Sequence, residues 1–184
     1  MLAPIDVTDI RIETDRLILR PFTEQDLSDL NEYARVPGVG EMAGWCAHKS
    51  IEESRGVLDM FIQGRKTLAL ELKENGKVIG SLGLEECTGA VTWKFWKKGR
   101  EVGYAMSKDY WGRGLMPEAV KAVMAYCFEQ LGYDYLTCGH FTQNSQSRRV
   151  IEKCGFRFVK DSHFDTRYGT REQTRYYVCY NPYK

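Results

Sequence analysis

The chain has 184 residues, 43% of them hydrophobic and 28% charged, with a formal net charge of +1. That length can bury a core without a metal or disulfide staple, and the near-balance of charge lacks the positive excess of nucleic-acid-binding domains. No apolar run approaches the ~20 residues of a membrane span; residues 1–10 hold two acids and no base, unlike a signal peptide. The expectation is one domain over residues 1–184, cytoplasmic, with no membrane or nucleic-acid partner.

Residues 16–22 alternate as a first strand that Pro21 ends. Thr23 followed by Glu24, Gln25 and Asp26 opens a helix, with Leu27, Leu30 and Ala34 at helical spacing. Pro37, Gly38 and Gly40 close it and begin an irregular stretch reaching Lys49. Ser50 with Glu53 forms a capping box for a second helix, whose apolar face carries Val57, Leu58 and Phe61. Residues 67–73 and 77–85 predict a hairpin around Glu74-Asn75-Gly76. The following segment, with Trp93, Phe95 and Trp96 among Lys94, Lys97 and Lys98, reads as a hairpin tip or a substrate-side loop. Residues 101–106 form the next strand and residues 117–131 a long helix with a stripe of Val120, Val123, Met124, Cys127 and Leu131. A strand at 135–141, a helix from Ser145 to about Cys154 stopped by Gly155, and aromatic-rich strands at 156–160 and 174–180 complete the order. Seven strands and four helices in this succession predict an α+β fold: a mixed, mostly antiparallel twisted sheet with helices on both faces.

The six cysteines include no Cys-x-x-Cys pair and the three histidines are scattered, so no metal site is expected. Most of the cysteines read as small buried hydrophobes, with Cys154 at a helix end the exception. The stretch most informative about chemistry is Tyr110-Trp-Gly-Arg-Gly-Leu-Met-Pro-Glu118, between a strand and a helix. Gly112 and Gly114 permit positive φ and close backbone approach. Successive N–H groups and the positive end of the next helix suit a pyrophosphate, and Arg113 either adds charge or is solvated. Pro117 costs nothing in a first helical turn. Gly-x-Gly alone is equally a tight strand-to-helix turn. No Gly-Lys-Ser/Thr follows, and no third glycine completes a dinucleotide fingerprint.

Three separated segments carry a family resemblance: Glu13-Thr-Asp-Arg-Leu-Ile-Leu-Arg-Pro-Phe22; Glu101-Val-Gly-Tyr104 with Tyr110-Trp-Gly-Arg-Gly-Leu115; and Asn144-Ser-Gln-Ser147 through Ile151-Glu-Lys-Cys-Gly-Phe156. In this order the sequence resembles the GNAT superfamily of N-acetyltransferases, and within it the ribosomal-protein N-terminal acetyltransferase (RimJ/RimL) branch. The resemblance implies the GNAT fold, acetyl-CoA as donor and an amine acceptor. That acceptor is a protein or peptide N-terminus, with an antibiotic or polyamine, or a coenzyme-binding module without activity, as alternatives.

By the same resemblance the backbone of Met106 and Ser107 bonds pantetheine where two strands splay. Backbone of Trp111, Gly112, Arg113, Gly114, Leu115 and Met116 holds the pyrophosphate, and Asn144 lies beside the pantetheine arm. The tyrosine many members use to protonate the thiolate is replaced by Ile151, leaving Ser147 as the candidate acid; its other reading is a capping or solvent-facing hydroxyl. Glu101 is the candidate base, directly or through water, or an ordinary edge carboxylate. Residues 36–49 and 93–100 are expected on the acceptor side, and the aromatic final strands make a homodimer plausible.

Overall fold

A computed structural model describes residues 2–87 and 97–184, and structural statements below concern those residues. Trp93, Lys94, Phe95 and Trp96, assigned above to the acceptor side, lie outside them.

One sheet organises the chain. Its strands are β1 (Ile12–Glu13), β2 (Leu17–Pro21), β3 (Thr67–Leu72), β4 (Val78–Glu85), β5 (Gly99–Met106), β6 (Tyr135–Phe141), β7 (Arg157–Asp165) and β8 (Arg171–Tyr180), in the order β1-β2-β3-β4-β5-β6-β8-β7. Seven of these correspond to predicted strands, and the eighth is the two-residue β1, too short to show periodicity. Every pairing is antiparallel except β5–β6. The β3–β4 turn forms where predicted: Gly76 takes φ +73° and its N–H donates to Leu72 O at 2.9 Å.

Helices cover both faces. On one, α1 (Leu27–Ala34) and α2 (Ile51–Gly64) bury Leu27, Leu30, Tyr33, Ala34 and Leu58 against Ala69 and Val78. On the other, α3 (Leu115–Glu129) and α4 (Ser145–Lys153) bury Leu115, Ala119, Val120, Val123, Cys127 and Ile151 against Leu68, Leu70, Leu82, Leu84 and Val102. The strict alternation of Leu68, Ala69 and Leu70 between these layers is the period-2 geometry of a strand with both faces covered. Each fully buried leucine contributes about 1.5–3 kcal/mol of apolar transfer.

Local signals set the helix ends. Asp26 is the anchor at the start of α1: its carboxylate accepts from Thr23 N (2.8 Å) and from both terminal nitrogens of Arg20 (2.8 Å each), and Arg20 also reaches Glu71 on β3. A 3-10 turn over Glu24–Asp26 precedes α1, so the helix proper starts later than the acids imply. Ser50 Oγ caps α2 by accepting from Glu53 N at 3.2 Å, while Glu53 reaches back to Lys49 N at 2.7 Å. α3 starts at Leu115, two residues before the predicted Pro117, because Gly114 in a left-handed conformation (φ +77°, ψ 8°) is its N-cap.

Cys127 and Cys138 are buried as expected; Cys154, expected to be the exception, is buried as well, and the exposed thiol is Cys46. All six are free. β7 runs to Asp165, well past residue 160, because its register with β8 continues to Asp165↔Arg171.

Candidate active site

The sheet opens at its centre. β5 and β6 are parallel partners through Gly99↔Tyr135, Arg100↔Leu136, Glu101↔Thr137 and Val102↔Cys138, and the pairing ends there. On its other side β5 continues with β4 to Gly80↔Met106, and Ser107 N donates to Ile79 O at 2.8 Å. Hydrogen-bonding residues alternate along an antiparallel pair. Residues 103, 105 and 107 therefore turn their main chain to β4, and Tyr104 and Met106 turn theirs into the gap beyond Val102. Ser107, expected to share the pantetheine contacts, spends both backbone groups internally: its N–H on Ile79 and its carbonyl on Tyr110 N (3.2 Å). Met106 O already accepts from Trp111 Nε1 at 2.8 Å, which locks the indole over the strand end.

The connection from β5 to α3 passes a 3-10 turn, Lys108–Tyr110, then Gly112 (φ +75°) and Gly114 (φ +77°). A Cβ at Gly112 would meet nothing within 4 Å, so glycine is required there by backbone conformation, not by crowding. Trp111 N is spent on Lys108 O, but the N–H groups of residues 112–116 have no partner among the described residues, and the first internal bond of α3 is Glu118 N to Gly114 O at 3.3 Å. Five consecutive unpaired donors at the positive end of a helix of fifteen residues form an anion cradle.

An anchor invisible to periodicity holds this cradle. Glu118, in the first turn of α3, accepts from Thr14 Oγ1 (2.5 Å), Arg16 N (3.0 Å) and Arg16 Nε (2.8 Å), while Arg16 Nη1 donates to Arg113 O at 2.9 Å. Burial pushes the Glu118 carboxyl up, but the Thr14 and Arg16 bonds outweigh it and hold the group below its ordinary value. The Arg113 guanidinium lies over the Tyr110 ring, 5.1 Å from its centroid.

On the far lip of the gap, Asn144 is the N-cap of α4, its Oδ1 accepting from Ser147 N at 3.0 Å and its Nδ2 donating to Met42 O at 3.3 Å. Ser147 Oγ sits 2.8 Å from Tyr104 Oη. Its hydroxyl is thus neither a cap nor solvent-facing: β5 and α4 meet through it. Burial drives the Tyr104 phenol well above its ordinary value, so it is a neutral O–H at physiological pH. Ile151, one turn further along, is 1% exposed and belongs to the core.

A cavity of about 1190 Å³ runs from the cradle through the gap to the opposite face. Its floor there is a strip of small residues at facing register positions, Ser81↔Ala105 and Gly83↔Gly103, ending in Glu85↔Glu101. Two carboxylates facing across a ladder repel; Lys66 pairs with Glu85 and relieves part of this. Leu30, Tyr33, Trp45, His48, Val57 and Phe61 wall the space. The loop over it is tied down by the β7–β8 hairpin, through Arg167 N to Gly44 O (2.9 Å) and Tyr168 Oη to Glu41 O (3.1 Å). Residues 36–49 thus line this side as expected, but Arg100 does not: it is buried, donating to Ala3 O at 2.7 Å and Leu84 O at 3.3 Å. No group of His, Cys, Asp or Glu among the described residues could hold a metal, and no helix among them is long and apolar enough to cross a membrane.

A strand edge left open beside a helix-end anion cradle leads by one passage to a second face of the sheet, and the likenesses to known proteins make the chain an acyltransferase. The chain belongs to the acetyltransferase (GNAT) domain family, which matches residues 16–157, and it has the GNAT fold. It is 29% identical over 156 residues to the uncharacterized N-acetyltransferase YoaA of Bacillus subtilis, covering 79% of this chain and 81% of that protein. Among solved structures, a GNAT-family acetyltransferase from Bacillus anthracis superposes with TM-score 0.81 at 20% identity, covering 94% and 99% of the two chains. A ribosomal-protein-S5-alanine acetyltransferase from Vibrio fischeri does so with TM-score 0.70 at 18% identity, covering 95% and 98%.

Proposed function

We propose that the enzyme acetylates the α-amine of a protein or peptide N-terminus, with acetyl-CoA as the donor. The observation that carries the donor assignment is the run of unpaired N–H groups at residues 112–116 beside the open edge of β5. Five donors and a helix terminus fit a diphosphate, and the main chain of Tyr104, turned into the gap, fits an amide group of an extended arm. Thioester chemistry supplies an activated carbonyl; this chain supplies its placement. Met106 N–H, turned away from β4 into the gap, is the donor offered to the developing oxyanion. Ser147 delivers the proton that the departing sulfur takes, and Tyr104 Oη, 2.8 Å from Ser147 Oγ and also donating to Ser147 O at 3.3 Å, holds that hydroxyl in place. Glu101, on the floor of the acceptor side, draws the cationic amine in.

The N-terminal acceptor rests on the enclosure of the acceptor side and on amine chemistry. A loop and a hairpin cover the cavity, leaving a channel that suits the end of an extended chain. An α-amine with a pKa near ~8 also requires less help to lose its proton than a lysine near ~10.4. The likeness to a ribosomal-protein acetyltransferase fold agrees with this reading. Thiol release from acetyl-CoA, screened against N-terminal peptides, polyamines and aminoglycosides, tests it. Turnover with peptides alone supports the assignment, whereas turnover confined to a small amine refutes it. Ser147→Ala and Glu101→Gln are each expected to lower kcat, and wild-type kcat in either removes that residue from the mechanism.

A further inference from the structure

His48 stands in the acceptor wall with its hydrogen-bonding state fixed from behind. Its backbone N–H donates to Ala34 O at 3.0 Å, which pins residue 48 to the end of α1. Its ring packs 5.2 Å from Trp45, centroid to centroid, and the residue is 8% exposed. Nδ1 lies 2.8 Å from Ser54 Oγ, and that hydroxyl, on a fully buried serine of α2, is 3.0 Å from Asn31 Oδ1 and 3.4 Å from Ser50 O. A serine hydroxyl has one proton. Both Asn31 Oδ1 and Ser50 O can only accept it, and Ser54 Oγ, giving its proton to one of them, receives one from His48. With the Ser54 proton directed to Asn31 or Ser50, the imidazole carries its own proton on Nδ1 and its basic lone pair on Nε2; a Ser54 proton turned toward His48 would reverse the two.

Nε2 has no hydrogen-bond partner among the described residues, yet the single fully enclosed side-chain polar atom without a partner there is Tyr33 Oη. Nε2 is thus not sealed in, and the residue lines the acceptor cavity. Burial holds the imidazole below its ordinary value while Glu53, at the start of α2, raises it in part. Lys49, adjacent in the chain, and Glu53 line the same cavity.

We infer that His48 Nε2 is the group that takes the first proton from the acceptor ammonium, and that Ser54 and Asn31 are positioning residues that aim it. This rests on the acetyl-transfer reading above. Two protons leave the ammonium in all. The first passes to Nε2 and on to solvent. The second leaves as the N–C bond forms and the C–S bond breaks, and it ends on sulfur. Glu101 keeps its role of attracting the cation; the proton goes to the uncharged base.

The test joins two readouts. Long-range ¹⁵N–¹H correlation spectra of the full chain report the tautomer of His48 directly, whatever the acceptor. They are expected to show Nδ1 protonated and Nε2 bare, and an Nε2–H tautomer overturns the inference. Steady-state kinetics of His48→Gln are then compared with wild type for a series of amines of falling pKa, the acetyl-CoA affinity being checked by calorimetry. The loss at pH 7 is expected to be about 100-fold for an ordinary α-amine and to shrink for amines already neutral at that pH. A loss that is uniform across the series, or none, overturns the inference. If His48→Gln does not fold, Ser54→Ala takes its place: its defect is expected to show the same dependence on amine pKa, and a flat defect overturns the positioning role. Should peptides fail as acceptors while another amine turns over, the series is run on that amine, so the acceptor assignment fails separately. Should no amine turn over, the tautomer still decides.

Discussion

Removing the Glu118 carboxylate perturbs the anion cradle without touching it. Three hydrogen bonds end on that group, from Thr14 Oγ1, Arg16 N and Arg16 Nε. Each is worth about 1 kcal/mol net, and the one to the guanidinium is discounted because the Arg16 side chain is 49% exposed. Glu118→Ala should therefore cost about 2–3 kcal/mol, or roughly 4–12 °C in Tm at this chain length. Glu118→Gln keeps an acceptor for Thr14 and Arg16 N and should cost only about 1 kcal/mol. The consequence for binding follows from geometry: Arg16, once released, no longer holds Arg113 O, and the unpaired N–H groups lose their common direction. Calorimetry with coenzyme A should show the affinity of Glu118→Ala falling about tenfold, equivalent to ~1.4 kcal/mol, with Glu118→Gln in between. Wild-type affinity in a Glu118→Ala protein whose Tm has dropped would mean that the cradle is shaped by its glycines alone, and would refute the anchoring role.

Gly112→Ala forces an L-residue to φ +75°, at a cost of about 1–2 kcal/mol with no clash to add to it, so chemical denaturation and coenzyme affinity should both register it. Gly103→Val should raise KM for the acceptor while leaving coenzyme affinity unchanged, because a Cβ there meets nothing within 4 Å and enters the acceptor cavity. Arg20→Ala strands the buried Asp26 carboxylate and should cost about 3–5 kcal/mol by urea unfolding. Burial pushes the Asp26 carboxyl up, but the bonds from Arg20 and Thr23 outweigh it and leave it below its ordinary value. The stability this pair adds is present above the unfolded carboxyl's pKa of ~3.9 and is lost as pH falls through the lower folded value; Arg20→Ala should therefore flatten the acid limb of a stability–pH curve.

What the sequence disclosed follows from range. Hairpin turns and helix caps are local, so the turn at Gly76 and the cap at Ser50 were readable where they stand. The glycine pair at 112 and 114 was readable as a positive-φ strand-to-helix connection, because the glycines and the following helix are neighbours in the chain. The β1 strand escaped because two residues have no period. Contacts made only by folding stayed hidden: Arg16 and Glu118 are 102 positions apart, and Tyr104 reaches Ser147 across 43. Ser107 was misassigned as a ligand-facing residue because strand phase is fixed by the partner strand, here through Ile79 O. His48 gave no signal, since a lone histidine in an irregular stretch acquires a tautomer only when Ser54 and Asn31 are brought behind it.

The four-pair junction of β5 with β6 has a mechanical side. All four rungs lie at one end, so the sheet is two blades riveted near Val102 and Cys138. Past that point β5 runs on with β4 alone, and the main chain of Tyr104 is a rung whose place in the ladder no β6 residue fills. An unfinished ladder of this kind offers an extended guest the place of a missing strand.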